Sequence, residues 1–387
     1  MSSGIVVREV KTKKEIRLFA KFPVDLYKDC PYYVPSLRSD DIDLFNPKKN
    51  YNLQNNLLKA FLCFKNGVLV GRIAGLINKK EVEIYGINYI RFSRFDCVDD
   101  IEVFKALFTA VANFGKENGA QVMHGPWGFN DTDREGMLTF GFDKQSTYAT
   151  NYSYEYFHKK IEQMGFTPES KWLEKNFTIP EFPYERIINI SNKLKDKLKV
   201  KDIAETMNIN QIIKHYGAKL FDTMNDAYGH LDGYVPIEGE AIKNVLKQFA
   251  TIINTRYISI LVDENDSVAS FAIVLPSIAK PLIKNRGKLF PFGFIGILNA
   301  IYNPKELEMG LIGVKKEYKN TGINSIMIAR VMKNIIDDKI THIESNPMLE
   351  HNYNILQQWK FAESEVIKRR QTYKIGIDEF LEKNKIN

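Results

Sequence analysis

Leu311-Ile312-Gly313-Val314-Lys315-Lys316-Glu317-Tyr318-Lys319-Asn320-Thr321-Gly322-Ile323-Asn324-Ser325 reads in three parts: an apolar strand ending at Val314, a basic loop, and a helix opening at Gly322. Downstream, Ile323, Ile326, Met327, Val331 and Ile335 recur at helical spacing, with Arg330 the one polar residue in the series. The helix is therefore specified by an apolar face. Its first turn leaves N–H groups without intrahelical partners at the positive end of the dipole, and both features suit a pyrophosphate. Gly322 has no side chain to hold a phosphate away from the backbone, and Lys315, Lys316 and Lys319 add positive charge. A plainer reading also fits, in which a glycine opens a helix after a basic loop.

Outward from this stretch, the chain repeats itself at an offset of about 200 residues. Leu18-Phe19, Tyr27 and Tyr33-Val34-Pro35 return as Leu220-Phe221, Tyr228 and Tyr234-Val235-Pro236. A hairpin is predicted over Ala60 to Ile77, turning at Lys65-Asn66-Gly67, because Asn-Gly between apolar runs favours a tight turn. A second is predicted over Tyr257 to Leu275, turning at Asp263 to Ser267. Each hairpin is followed by a strand, an amphipathic helix, a strand and a helix ending in an aromatic. These are Tyr89 to Phe95, Ile101 to Asn118, Gln121 to His124 and Tyr152 to Phe166 in the first copy. In the second they are Met309 to Val314, Gly322 to Asp338, His342 to Ser345 and Asn352 to Phe361. The Pro-containing stretch Ile179 to Tyr184 separates the copies, giving segments 1–185 and 186–387.

This order of elements, with the Leu311–Ser325 loop, resembles the GNAT superfamily of acyl-CoA N-acyltransferases. The resemblance implies an α/β fold, a mixed sheet with flanking helices, present as two tandem copies. It implies acetyl-CoA or another acyl-CoA as donor and a small-molecule amine as acceptor. By the same resemblance Ile312, Gly313, Val314, Lys319, Asn320, Thr321, Gly322, Ile323, Asn324 and Ser325 bind the donor, and Asn352 touches the CoA arm. Asn352 fits equally well as a helix N-cap. The sequence departs from the family at three places. Lys319 stands where the family has Arg or Gln, Asn324 where it keeps Gly or Ala, and Leu356 where it often has a tyrosine that acts as acid. Glu344 is a candidate base toward an amine if it lies buried beside the acyl group; otherwise it is a solvated strand-end carboxylate. These departures keep a second class open, a GNAT-like protein that binds a ligand or partner without catalysis.

The corresponding loop of the first copy, Phe95 to Glu102, has no glycine and four acids, Asp96, Asp99, Asp100 and Glu102. Carboxylates at a helix N-terminus satisfy the dipole themselves and repel a pyrophosphate. This copy is expected to shape the acceptor side or give support. Within it, His124-Gly125-Pro126-Trp127-Gly128-Phe129-Asn130-Asp131-Thr132-Asp133 reads either as a pocket wall or as a turn with Trp127 packed between the halves. The alternating Tyr152, Tyr154 and Tyr156 read as packing.

Composition bounds the rest. The 387 residues are 44% hydrophobic and 26% charged, with net charge +7, which is globular composition too mildly basic to imply nucleic acid. The lysine clusters near 194 to 201 and 368 to 374 are mixed with apolar residues and read as solvated faces. Three scattered cysteines suggest neither disulfides nor zinc, and a reducing cytoplasm is the expected setting. The six histidines lack metal-ligand spacing, and no metal is expected. The longest apolar stretch, Leu289 to Ile301, is too short to span a bilayer and reads as buried strand and loop, so no membrane partner is expected. There is no nucleophile elbow, phosphate loop, dinucleotide fingerprint or zinc-protease motif.

Overall fold

The computed structural model describes residues 4–130, 132–179, 184–358 and 362–385. Asp131, the core of the Pro-containing stretch and the expected helix end at Trp359 to Phe361 lie outside these residues.

The first segment contributes β1 (Ile5–Glu9), β2 (Leu57–Lys65), β3 (Val68–Ile77), β4 (Tyr89–Cys97), β5 (Val122–Gly125), β6 (Met137–Phe140) and β7 (Thr167–Phe177). The second contributes β8 (Lys201–Asp202), β9 (Ile258–Val262), β10 (Val268–Pro276), β11 (Glu306–Val314), β12 (His342–Ser345), β13 (Met348–Leu349) and β14 (Ser364–Gly376). Both expected hairpins form. Asn66 and Gly67 take positive φ of 52° and 80°, the twist that a two-residue hairpin turn between β2 and β3 requires.

All the strands join in one mixed sheet, ordered β1-β2-β3-β4-β5-β14-β7-β12-β11-β10-β9-β8, with β6 on β14 and β13 on β7. Each half exchanges its last strand with the other. β14, from the C-terminus, pairs antiparallel with β5, while β7 of the first segment pairs with β12 of the second. The two exchanged strands pair with each other over their lengths, from Ser364 opposite Phe177 to Lys374 opposite Thr167. The cores follow the exchange. Tyr373, Ile375, Ile377 and Phe380 are buried with Phe92, Leu107 and Phe108 of the first half. In return, Phe177 is buried with Leu307, Val331, Ile335 and Ile343 of the second.

Two readings of the sequence change here. The basic cluster 368 to 374 is a solvated face only in part: Arg369 and Lys374 are exposed, but Lys368 and Arg370 are 0% and 1% exposed. They sit on β14 in the middle of the sheet, where Glu174 of β7 and Glu344 of β12 neutralise them. Local sequence carries no sign of those partners, which come from other strands. The apolar run Leu289 to Ile301 is not a buried strand and loop. It forms the helix Gly293–Tyr302, which buries Ile297 and Ile301 and leaves Phe294, Ile295, Leu298 and Tyr302 on the outside.

Candidate functional site

The site is built around a parting of two strands. β11 and β12 pair in parallel only from Glu306–His342 to Met309–Ser345. Beyond Met309, β11 bulges: Gly310 and Leu311 stand opposite the single residue Ile273, between the pairs Met309–Val274 and Ile312–Ala272. Gly310 is required at this bulge, since a Cβ there would lie 2.8 Å from the Ile273 carbonyl oxygen. From Ile312 to Val314, β11 is laddered to β10 on one side. On the other side its edge is met by a hydroxyl. The Ile312 N–H donates to Tyr228 Oη at 3.1 Å, and that hydroxyl donates back to the Ile312 carbonyl at 2.9 Å. Tyr228 is the last residue of the helix Ile209–Tyr228.

A cavity of about 1430 Å³ opens at this parting. One wall is the parted strand and the start of the helix Ile323–Asp337, with Ile312, Val314, Lys319, Asn320, Gly322, Ile323 and Asn324 among its lining residues. The helix has no side-chain cap, and Gly322 before it takes φ +85°, in the left-handed region. An added Cβ would meet no atom nearer than Leu194 Cδ2 at 3.4 Å, so Gly322 is explained by backbone conformation and not by crowding. Of the three loop lysines, Lys315 is held by Ser267, and Lys316 pairs with Asp226 at 3.3 Å. Lys319 lines the cavity. The amide oxygens of Asn324 and Asn346 are buried without a hydrogen-bond partner, and both residues line the cavity. Such orphaned acceptors beside an uncapped helix start fit a ligand that brings N–H donors and negative charge.

Other expected residues sit differently. Gly313, Thr321 and Ser325 do not line the cavity. Gly313 serves packing, since a Cβ there would lie 2.5 Å from the Phe271 ring. Asn352 lines the cavity and also accepts from Ile355 N–H at 3.4 Å as a helix cap. Leu356 lies in the helix Tyr353–Gln358, where it has no proton to offer. Glu344 alternates away from the cavity-lining Ile343 and Ser345, and Lys368 holds it in an ion pair.

The far wall comes from the first half and carries charge that the sequence did not reveal. Asp40, Arg94, Asp133, Arg134 and Tyr148 line it. Tyr148 Oη donates to Asp40 at 3.0 Å, and Arg94 reaches Asp41 at 3.2 Å and Asp133 at 3.6 Å. The Asp40 carboxylate meets water through the cavity, yet the protein crowded around it raises its pKa above the usual carboxylate value. Behind Tyr148, Glu308 of β11 accepts from the Tyr148 N–H at 3.2 Å and from Ser277 Oγ at 2.7 Å. Burial, with Glu344 nearby, pushes Glu308 up to about 7. Lys368 and Arg370 pair with Glu174 and Glu344, while Glu308 is held by the Tyr148 amide and the Ser277 hydroxyl.

In the first half the equivalent helix start is closed. Asp100 caps it by accepting from the Glu102 N–H at 3.0 Å, while pairing with Lys65 at 2.5 Å. Asp99 pairs with Lys160 at 2.7 Å. Both readings of the His124–Asp133 loop hold in part. Trp127 is buried with Trp172, Leu231 and Leu349 between the halves, while Phe129, Asn130, Thr132 and Asp133 line the cavity.

No protein-family model matches the chain. It is 26% identical over 382 residues to Protein YghO of Escherichia coli, covering 96% of this chain and 95% of that one. It is 23% identical over 332 residues to the bacterial ceramide synthase of Caulobacter vibrioides, covering 83% of each. Among solved structures it is similar to a tandem GNAT protein from the clavulanic acid biosynthesis pathway, with TM-score 0.56 and 10% identity, over 96% of this chain and 99% of that one. With its repeated order of elements and its parted strand pair beside an uncapped helix, the chain has the tandem GNAT fold.

Proposed function

We propose that the protein is an acyl-CoA-dependent N-acyltransferase whose donor site is the second half and whose acceptor wall is the first. One observation carries this reading: a single cavity joins the uncapped helix start at Gly322 to the polar wall of Asp40, Arg94, Asp133 and Arg134 through the parting of β11 and β12. Bound acyl-CoA would supply an activated acyl thioester. Around it, Lys319 and the free N–H groups after Gly322 face phosphate, and the Asn324 and Asn346 oxygens accept from amide N–H groups. Asp40, whose pKa is raised, faces the acceptor side as the group able to take a proton from the attacking amine. Tyr228 holds the only described tyrosine hydroxyl bonded to the open edge of β11, and in this reading it stands in as proton donor for the position occupied by Leu356.

The cavity exceeds the roughly 300–1,000 Å³ of ordinary small-molecule pockets. Its walls include Leu289, Met309, Leu311, Met327, Val331 and Ile335, which favours an acyl chain or amine longer than acetyl-CoA and a small amine need. The relative named a bacterial ceramide synthase points the same way, since a ceramide is an amide of a long-chain amine. Isothermal titration with acyl-CoAs of increasing length tests this. Binding should tighten with chain length, by up to about 0.8 kcal/mol per buried methylene. Lys319→Glu should weaken binding at least about tenfold without loss of the folded state. No heat with any acyl-CoA would sink the donor site. Binding without turnover against a panel of short and long amines would favour a ligand-binding protein instead.

A further inference from the structure

The segment Ala279–Asn303 stands apart from the rest of the surface. It comprises the helix Ala279–Asn285, a loop, and the helix Gly293–Tyr302. Phe290, Phe292 and Tyr302 are 78%, 74% and 72% exposed, and Phe294, Ile295 and Leu298 are exposed beside them. Six large apolar side chains on one short segment form a contiguous kind of patch that soluble surfaces seldom leave bare. The segment also contains exposed Lys284, Arg286 and Lys288 and no acidic residue, while its fourth cation, Lys280, pairs with Glu306 at 2.6 Å.

The patch is not a frayed loop. Gly287 packs so closely on the first half that a Cβ there would lie 2.2 Å from the Ser36 carbonyl oxygen. The Arg38 N–H donates to the Gly287 carbonyl at 3.0 Å, and Arg38 Nε donates to that of Arg286 at 3.3 Å. Ile297 and Ile301 anchor the second helix over Val34, Ile278 and Leu282. The same apolar cluster includes Leu37, Tyr148, Ile252 and Leu289, and these four also line the cavity. The exposed aromatics and the cavity thus share one layer of side chains.

We propose that this face docks on an anionic lipid bilayer. Apolar side chains project from the loop at Phe290 and Phe292 and from the helix that follows, and Lys284, Arg286 and Lys288 precede them in a segment without acids, a combination that suits the headgroup layer of an anionic membrane. A second copy of the chain is the poorer occupant, because a two-fold contact would bring the two basic rims together. The apolar run is too short to span a bilayer, and among the described residues no helix is long and apolar enough to cross one. A surface position escapes that limit. Docked this way, the protein would present the Leu289 side of its cavity to the membrane, a route for a substrate with a hydrocarbon chain.

The test uses the full chain and vesicles, with no acyl-CoA or amine present, so its outcome is separate from that of the proposed reaction. The chain should sediment with vesicles of equal parts phosphatidylcholine and phosphatidylglycerol, and less with phosphatidylcholine alone. Phe290→Ser with Phe292→Ser and Ile295→Ser should lower the bound fraction about tenfold or more, and Lys284→Glu with Lys288→Glu should remove the preference for anionic vesicles. Far-UV circular dichroism melts should match the wild type, because these side chains are exposed. The proposal is overturned if the wild type stays in the supernatant with both vesicle compositions, or if the triple variant sediments like the wild type. It is also overturned if sedimentation velocity shows a dimer that the triple variant dissolves while vesicles capture neither protein.

Discussion

Tyr228 and Glu308 are the two side chains whose surroundings make the most direct predictions. Tyr228→Phe removes the hydroxyl that bridges the N–H and carbonyl of Ile312. If it donates a proton to the leaving thiolate, the variant should keep donor affinity within a few-fold and lose about 10²–10⁴ in kcat, measured by thiol release. A similar loss in affinity would instead assign the hydroxyl to holding the strand edge. For Glu308, the folded-state pKa of about 7 lies above the ordinary 4.5. Between those values the folded protein binds more protons than the unfolded chain, so stability falls as pH rises from about 4.5 to 7 and the loss persists above. Glu308→Gln should abolish that fall and make the variant more stable than wild type at pH 8, by a few kcal/mol at most, in denaturant titrations at pH 5 and pH 8. A pH dependence equal to that of wild type would mean Glu308 is ionised in the folded state. Neither residue was legible as functional from the sequence. Tyr228 was visible only as a landmark of the repeat, and Glu308 carries no motif. Their surroundings come from a neighbouring strand edge and from burial among side chains of other strands.

At the scale of elements, the central charge network makes a sharper demand. Lys368 on β14 donates to the Gln145 carbonyl at 2.9 Å and pairs with Glu174 at 3.0 Å and with Glu344. Lys368→Met leaves two buried carboxylates to share Arg370, and should cost about 3–5 kcal/mol in denaturant unfolding. Adding Glu344→Gln should restore part of it, and additive losses would show that the pair is not coupled. What the sequence disclosed at this scale followed local periodicity. The β2–β3 hairpin announced itself through Asn66-Gly67, β12 matches its expected bounds, and the Gly322 helix starts and ends within a residue of the reading. The elements misread were those whose surroundings are non-local. β14 looks solvated because its countercharges lie on β7 and β12, and the Gly293–Tyr302 helix looks buried because it is apolar on both faces. The Leu311–Ser325 stretch gave the helix start that lines the cavity, while the opposite wall of Asp40, Asp133 and Tyr148 had no sequence signature because a cavity wall is assembled from distant loops.

For the whole molecule, the exchanged strands join what the repeat would divide. Segment 1–185 alone would leave β5 beside an empty place in the sheet and bury Glu174 without Lys368 or Arg370. Expressed separately, each segment should be aggregated or unfolded by circular dichroism. Expressed together, they should copurify as a folded pair, and a stable folded monomer of either segment would contradict this. The same exchange bears on synthesis. The ribosome makes β14 after all the other described strands, yet its place is at the centre of the sheet between β5 and β7. Throughout translation of the second segment, the first must wait with two open strand edges and with part of its core supplied by residues not yet made. A nascent chain so arranged cannot fold half by half as it emerges. It completes its centre only once β14 has been made, so truncation of that strand should be felt in both halves at once.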